Sequence, residues 1–429
     1  MPDPMPDPLN NSYYAASSNA WRALKVAPKA AYDVAVIGGG FTGLSSALSL
    51  AEKGFSVVLL EAHSIGFGAS GRNGGQLIPG LRWSMQEIDA EFGRERAQAI
   101  FDLAWSAVER VNTRISQHNI HCDLKSGHLE AAYKPAHFAD MQREAAFLAR
   151  EYNWNSIDVV HPKDLGLHIN GGNYHGGIYD HAGGHFHPLN YALGLANAAQ
   201  DAGVTIIENT RVDIVSQNSG ITLSVTGSDG AATIKSSYVV NATDAWMGDL
   251  DPKLGRYTVP IMNYNVATQV LDNADELLPS NAAVADSRFV LNYFRLSADN
   301  RLIFGGGEKY VQTPPTDIGA FVRKHIVEVF PALASVRIDY AWGGTIGATM
   351  NRLPHMGRRG NIFYAHGFSG HGALVTTLAG DVLAEAVSGT ASRFDVFANL
   401  PHRPFPGGKL FARPLATLGL MWYALRDRL

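Results

Sequence analysis

Near the start of the chain, Gly38-Gly39-Gly40-Phe41-Thr42-Gly43 fits the pattern G-x-G-x-x-G, and Glu61-Ala62 stands further along. In such a pattern Gly38 permits a tight turn, Gly40 lets backbone approach a pyrophosphate, and Gly43 lets a helix lie close to a strand. A helix opening at Phe41 and Thr42 presents N–H groups and the positive end of its dipole to phosphate oxygens. Glu61 is placed to accept hydrogen bonds from ribose 2′ and 3′ hydroxyls. That disfavours a 2′-phosphate, hence NADP, and leaves NAD and FAD. A second glycine-rich loop, Gly66 to Leu77 (GFGASGRNGGQL), separates these two. FAD is the longer molecule, and its ribityl and ring portions need more close backbone than a simple NAD dehydrogenase provides.

Other chemistry-bearing groups are more ambiguous. Six of the 16 histidines lie between His161 and His187. His181 and His185 have the spacing of a helical metal pair, but Gly183-Gly184 between them makes a poor helix, and no metal is expected. His187 precedes a proline and a helix, which suits either a buried, hydrogen-bonded histidine or a pocket residue. His371 sits between Gly370 and Gly372 at an expected helix start, where a flavin-proximal role competes with capping. Gly367-Phe368-Ser369-Gly370-His371 fails as a nucleophile elbow, because G-x-S-x-G needs glycine where His371 stands. The lone cysteine, Cys122, excludes a disulfide framework and any cysteine-based zinc or iron–sulfur site.

The elements that must position these groups are visible in the hydrophobic pattern. Asp33 to Ile37 (DVAVI) reads as a buried parallel strand, Gly43 to Lys53 as a helix, and Phe55 to Leu60 (FSVVLL) as a second strand. Together they form a β-α-β unit with the glycines at its first turn and Glu61 at its end. Further strands are expected at Gly127 to Tyr133, Val204 to Ile207, Thr222 to Thr226 and Val239 to Ala242. A hairpin turns at Asp299-Asn300, and a helix runs over Val375 to Ala386. The fold class is α/β at both ends with a more antiparallel middle.

At 429 residues the chain is long enough for two domains, and 46% hydrophobic with 17% charged residues is ordinary globular composition. A formal net charge of −4 argues against nucleic-acid binding driven by bulk charge. No signal peptide or membrane span is apparent. The expectation is a soluble, cytoplasmic protein, with a homo-oligomeric state left open. Leu415, Leu418, Trp422 and Leu425 share one face of an expected C-terminal helix that packs on the body or on a second subunit.

Gly38 to Glu61 followed by Ile65 to Leu77 resembles the FAD-dependent oxidoreductases of the D-amino-acid oxidase, glycine oxidase and sarcosine oxidase superfamily. Ser12 to Ser17 (SYYAAS), Asp180 to Asn190, Tyr293 to Gly306, Gly367 to Gly372 and Arg393 to Gly408 extend the likeness over nearly the whole chain. The resemblance implies a Rossmann-like FAD-binding domain that is discontinuous (30–90, 160–250 and 340–400). A mostly antiparallel substrate domain (91–159 and 251–339) is inserted in it, with an N-terminal arm (1–29) and a C-terminal extension (401–429). It further implies that Ser70, Gly71, Arg72, Asn73, Gly74, Gly75 and Gln76 line the ribityl chain and flavin. Val212 presents backbone to adenine, and Ala242 and Trp246 approach the diphosphate. Gly343, Gly367, Ser369, Gly370, His371 and Gly372 lie by the ring. FAD is expected to be non-covalent.

The activity implied is oxidation of a primary amine, γ-glutamylputrescine or a related ω-amine, to imine and then aldehyde plus ammonia in polyamine catabolism. Oxygen or another acceptor takes the electrons. His371, His187, Arg352 and Trp342 are the catalytic candidates, with Arg352 as a carboxylate anchor and Arg82 and Arg295 as rivals. Glycine, sarcosine or D-amino-acid oxidation is the alternative, as is an electron-transfer subunit without its own amine turnover.

Overall fold

The computed structural model describes residues 11–24, 28–217, 220–228, 230–309 and 315–406. The expected C-terminal helix lies outside the described residues. The opening β-α-β unit forms as the pattern dictates: strand Ala31–Ile37, helix Phe41–Glu52 and strand Val57–Leu60. Both strands are apolar on both faces because helices cover one side and further strands the other.

Two sheets organise the molecule. In the first, the path runs His355–Arg359, Ile362–His366, Gly230–Asn241, Ala31–Ile37, Val57–Leu60, Thr205–Ile207. The pairings among its last five strands are parallel, with Val36 between Val240 and Leu59. Helices Phe41–Glu52, Pro188–Asp201 and Val375–Val387 cover one face and build the largest core cluster, around Leu44, Leu48, Tyr191, Leu378 and Val382. Gly380 lets two of these helices touch, since a Cβ there would meet Ser45 Cβ at 2.5 Å.

The second sheet is antiparallel apart from one parallel pair, Ala283–Asp286 with Lys125–Ala131. Its long strands Thr258–Val270, Arg301–Lys309 and Ile338–Thr349 carry helix Ile318–Val329 and a separate core around Tyr264, Phe294, Phe304 and Phe330. Three strands lying wholly or mostly in stretches expected in the FAD-binding part pair here instead, the short Gln76–Leu77 and two longer ones. Gly177–His185 joins Lys125–Ala131, and Ile338–Thr349 joins Thr258–Val270. Their partners lie far off in sequence, so local pattern carries no sign of the choice.

The N-terminal arm docks across this junction. Tyr14 is fully buried against Trp342, with ring centroids 5.1 Å apart, and its hydroxyl accepts from Arg295 at 3.1 Å.

Candidate active site

A cavity of about 1210 Å³ runs along the junction of the two sheets, larger than the roughly 300–1,000 Å³ of ordinary ligand clefts. One end is the β-α-β turn. Gly38 has φ +108°, and a Cβ on Gly43 would lie 1.9 Å from Gly38 O, so strand and helix meet at this distance only without side chains. Gly38, Gly40, Phe41 and Thr42 line the cavity; Gly43 shapes the turn from behind. The helix cap, Gly40, has no side chain to close the first turn, which lines the cavity, and Phe41 N–H donates to Ser70 Oγ at 3.0 Å.

Glu61 and Ala62 line the same end, with Val212 beside them. Glu61 Oε2 accepts from Gly39 N–H at 2.6 Å and Oε1 from His63 N–H at 2.9 Å. Burial pushes its carboxyl up, while those N–H groups pull it down.

The second glycine loop crosses the middle of the cavity. Ser70, Arg72, Asn73, Gly74 and Gln76 line it; Gly71 and Gly75 do not. Gly75, at φ +74°, sits where a Cβ would be 2.3 Å from Phe186 O. Asn73 Oδ1 accepts from Gly75 N–H at 2.7 Å, and Arg295 Nε donates to Gly74 O at 2.8 Å, so the loop is tied from both sides. Opposite it, Ala242 and Trp246 line the cavity, as do Ser369, Gly370, His371 and Gly372. The helix expected over Val375 to Ala386 forms as Val375–Val387, and residues 369–374 lead into it as a turn-rich segment. Its first turn still lines the cavity through Thr376.

Several expected site residues prove to be supports. His187 caps helix Pro188–Asp201: Nδ1 accepts from Asn190 N–H at 3.1 Å, and Nε2 lies 3.1 Å from Ser17 Oγ. It is buried away from the cavity lining, and burial, with Arg295, takes its pKa down to about 3. Trp342 is 1% exposed and donates its indole N–H to Arg72 O at 3.0 Å, so it holds the loop without facing the cavity. Gly343 receives Arg72 Nη1 on its carbonyl at 3.4 Å, and Gly367 packs against Thr349; neither lines the cavity. Arg352 does, with its guanidinium 5.7 Å from the Phe289 ring.

Asp244 escaped sequence reasoning. It sits in the NATDAW turn at φ +40° and accepts Gly347 N–H at 2.9 Å and Gly367 N–H at 2.7 Å, stapling both sheets at the cavity wall. Also missed was a charged chamber continuing the cavity past the loop. Glu130, Asp286, Arg288 and His128 line it, with Arg82. Its only sequence signal is the alternation His128-x-Glu130 on one strand.

Cys122 is buried outside the cavity lining and offers no thiol to a ligand there. Among the described residues no group of histidine, cysteine and acidic side chains has the arrangement of a metal site, and no helix is long and apolar enough to cross a membrane. His181 is bound to Asp158 and His185 to Asn281 O.

A family model described as FAD dependent oxidoreductase (DAO) matches residues 33–386. The chain belongs to this family. Membership in the DAO family agrees with the cavity: a helix start without a side-chain cap, an acidic residue at the second strand end, and a second glycine-rich loop line it. The protein is accordingly an FAD-dependent oxidoreductase. Over 424 residues the chain is 39% identical to the γ-glutamylputrescine oxidoreductase of Escherichia coli, covering 98% of each. It is 37% identical to a probable oxidoreductase, OrdL, of Rhizobium meliloti, covering 92% of each. Among DAO-family folds, the crystal structure of glycine oxidase from Geobacillus kaustophilus superimposes with TM-score 0.70 at 22% identity, covering 84% of this chain and 95% of that one.

Proposed function

We propose that this enzyme oxidises the primary amine of γ-glutamylputrescine, or of a closely related γ-glutamylated ω-amine, to the imine, which water converts to aldehyde and ammonia. The observation that carries this is the end-to-end likeness to the E. coli enzyme of that name. The charged chamber supports it, since a small amino acid such as glycine would leave most of that space to water. FAD, when bound, supplies the acceptor for the hydride equivalent leaving the carbon beside the amine nitrogen. Molecular oxygen is the proposed final acceptor, leaving hydrogen peroxide, and a cytoplasmic setting suits such a catabolic step.

The chain's own residues bind, orient and keep the site at the right charge. Glu61 would hold the ribose hydroxyls, and the open first turn at Gly40 to Thr42 the diphosphate. Arg352 would anchor the substrate carboxylate by a bidentate pair. His371 stays neutral, its pKa brought down to about 3 by burial with a contribution from Arg82, so it adds no positive charge against the incoming ammonium.

The test is anaerobic mixing of the yellow protein with γ-glutamylputrescine, putrescine, glycine, sarcosine and D-alanine, followed at the visible flavin band. Bleaching by γ-glutamylputrescine at least 100-fold faster, per molar substrate, than by the others is expected. Preferential bleaching by one of the amino acids would reassign the enzyme.

A further inference from the structure

Strand Lys125–Ala131 faces the chamber with alternate side chains, so His128 and Glu130 point the same way. His128 is 4% exposed, and its Nε2 has no hydrogen-bond partner although it lies against the cavity. Among the described residues the Glu130 carboxylate makes no hydrogen bond either. By contrast, the other acids here are engaged. Asp286 is paired with Arg288, and Glu144 accepts from Met85 N–H and Gln86. Burial takes His128 down to about 4 and so keeps it neutral, and burial also pushes Glu130 up, with Arg82 opposing. His128 is thus a buried acceptor without a donor, and Glu130, half-buried beside it, is a second acceptor.

Arg352 lines the same cavity. Two contacts tie its surroundings to this strand. Ala131 O accepts from Ser287 N–H at 3.1 Å, placing the segment that carries Phe289 beside the strand, and Arg352 lies over the Phe289 ring. Trp83 Nε1 donates to Asn351 O at 2.7 Å, holding the Arg82 segment against the Arg352 turn. Two acceptors and a guanidinium lining one chamber match a zwitterion.

We propose that His128 and Glu130 bind the ammonium of an α-amino-acid head at the far end of the substrate, while Arg352 binds its carboxylate, so that the chamber selects γ-glutamyl amines over amines lacking that head. This rests on the function proposed above and assigns both ends of the glutamyl group. It makes Glu130 a specificity residue, remote from the oxidised carbon, and not a base for the reaction.

The experiment compares kcat/KM for γ-glutamylputrescine with two analogues: glutarylputrescine, which lacks the α-ammonium, and 4-aminobutanoylputrescine, which lacks the carboxylate. Wild-type protein is expected to favour the glutamyl substrate over the glutaryl one by about 10- to 100-fold, mostly through KM, as for a hydrogen bond to a charged group. In E130Q that ratio should fall toward 1, and in R352Q the preference over the aminobutanoyl analogue should fall instead. FAD content and melting temperature report on folding. If E130Q does not fold, the wild-type ratios decide alone. Equal losses on glutamyl and glutaryl substrates in E130Q, or a wild-type ratio near 1, would overturn the proposal while leaving the amine-oxidase reading intact. Failure of wild-type protein to oxidise any of the three compounds would bring down that reading and this proposal together.

Discussion

At the residue scale, the site depends on a few polar groups held where they are by backbone. Glu61 is the clearest case, because its two oxygens already accept N–H groups from Gly39 and His63 and its carboxyl is pushed up by burial. Removing it should loosen the glycine turn and take away the ribose acceptor together. Glu61→Ala is expected to weaken FAD binding by about 10- to 100-fold, the range of one or two charge-assisted hydrogen bonds. Titration of apoprotein with FAD, followed by flavin fluorescence, measures this; unchanged affinity would show that Glu61 serves the turn alone. His187 and Trp342 teach the converse. Residue type made both candidates for chemistry, yet one caps a helix and the other holds a carbonyl, and only the direction of each side chain separates these roles.

Elements are joined by a buried charge network on the helical side of the first sheet. Asp381, on helix Val375–Val387, bonds Arg110 and Ser49 and lies 3.3 Å from Arg114. Arg114 has no exposed side-chain surface and reaches Ser49 Oγ at 2.7 Å and Glu52. Three helices, Phe41–Glu52, Arg94–Gln117 and Val375–Val387, meet at this point. Asp381→Ala would leave Arg114 with only the half-exposed Glu52 as its acid partner. A cost of about 3 kcal/mol is expected, the range for breaking a buried pair from one side. A denaturant midpoint unchanged from wild type would refute that. The helix Phe41–Glu52 also carries the phosphate-facing first turn, so the same variant should raise the FAD dissociation constant.

Over the whole molecule, the described chain closes on itself at a histidine cluster. His366 Nε2 lies 2.9 Å from His355 Nδ1, and His402, on the last described segment, bonds Pro354 O at 3.1 Å with its ring 4.3 Å from His355. Burial takes His402 down to about 4 and His355 down to about 3. Unfolded histidine titrates near 6.5, so between about pH 6.5 and pH 4 the unfolded chain binds a proton at His402 that the native chain does not. The stability this residue contributes is therefore complete above about pH 6.5 and is lost as pH falls. His402→Gln should melt below wild type at pH 7.5, and the gap should narrow at pH 5. A gap that is constant or widens on acidification would contradict the sign.

Much of the first sheet and of the cofactor end was legible in the sequence alone. The glycine pattern, Glu61 and the apolar runs around them are local, and hard-core contacts of backbone and helix dictate what they become. The identities of Ser70, Asn73 and Gln76 likewise marked the second loop. What tertiary structure decided was everything that depends on pairing across long sequence separations. Gly177–His185 and Ile338–Thr349 join the second sheet, Asp244 staples both sheets, and His128 with Glu130 reaches the same chamber as Arg352. The physical reason is that a strand's alternation states which residues share a face but not which cavity that face meets; that is settled only when two sheets pack.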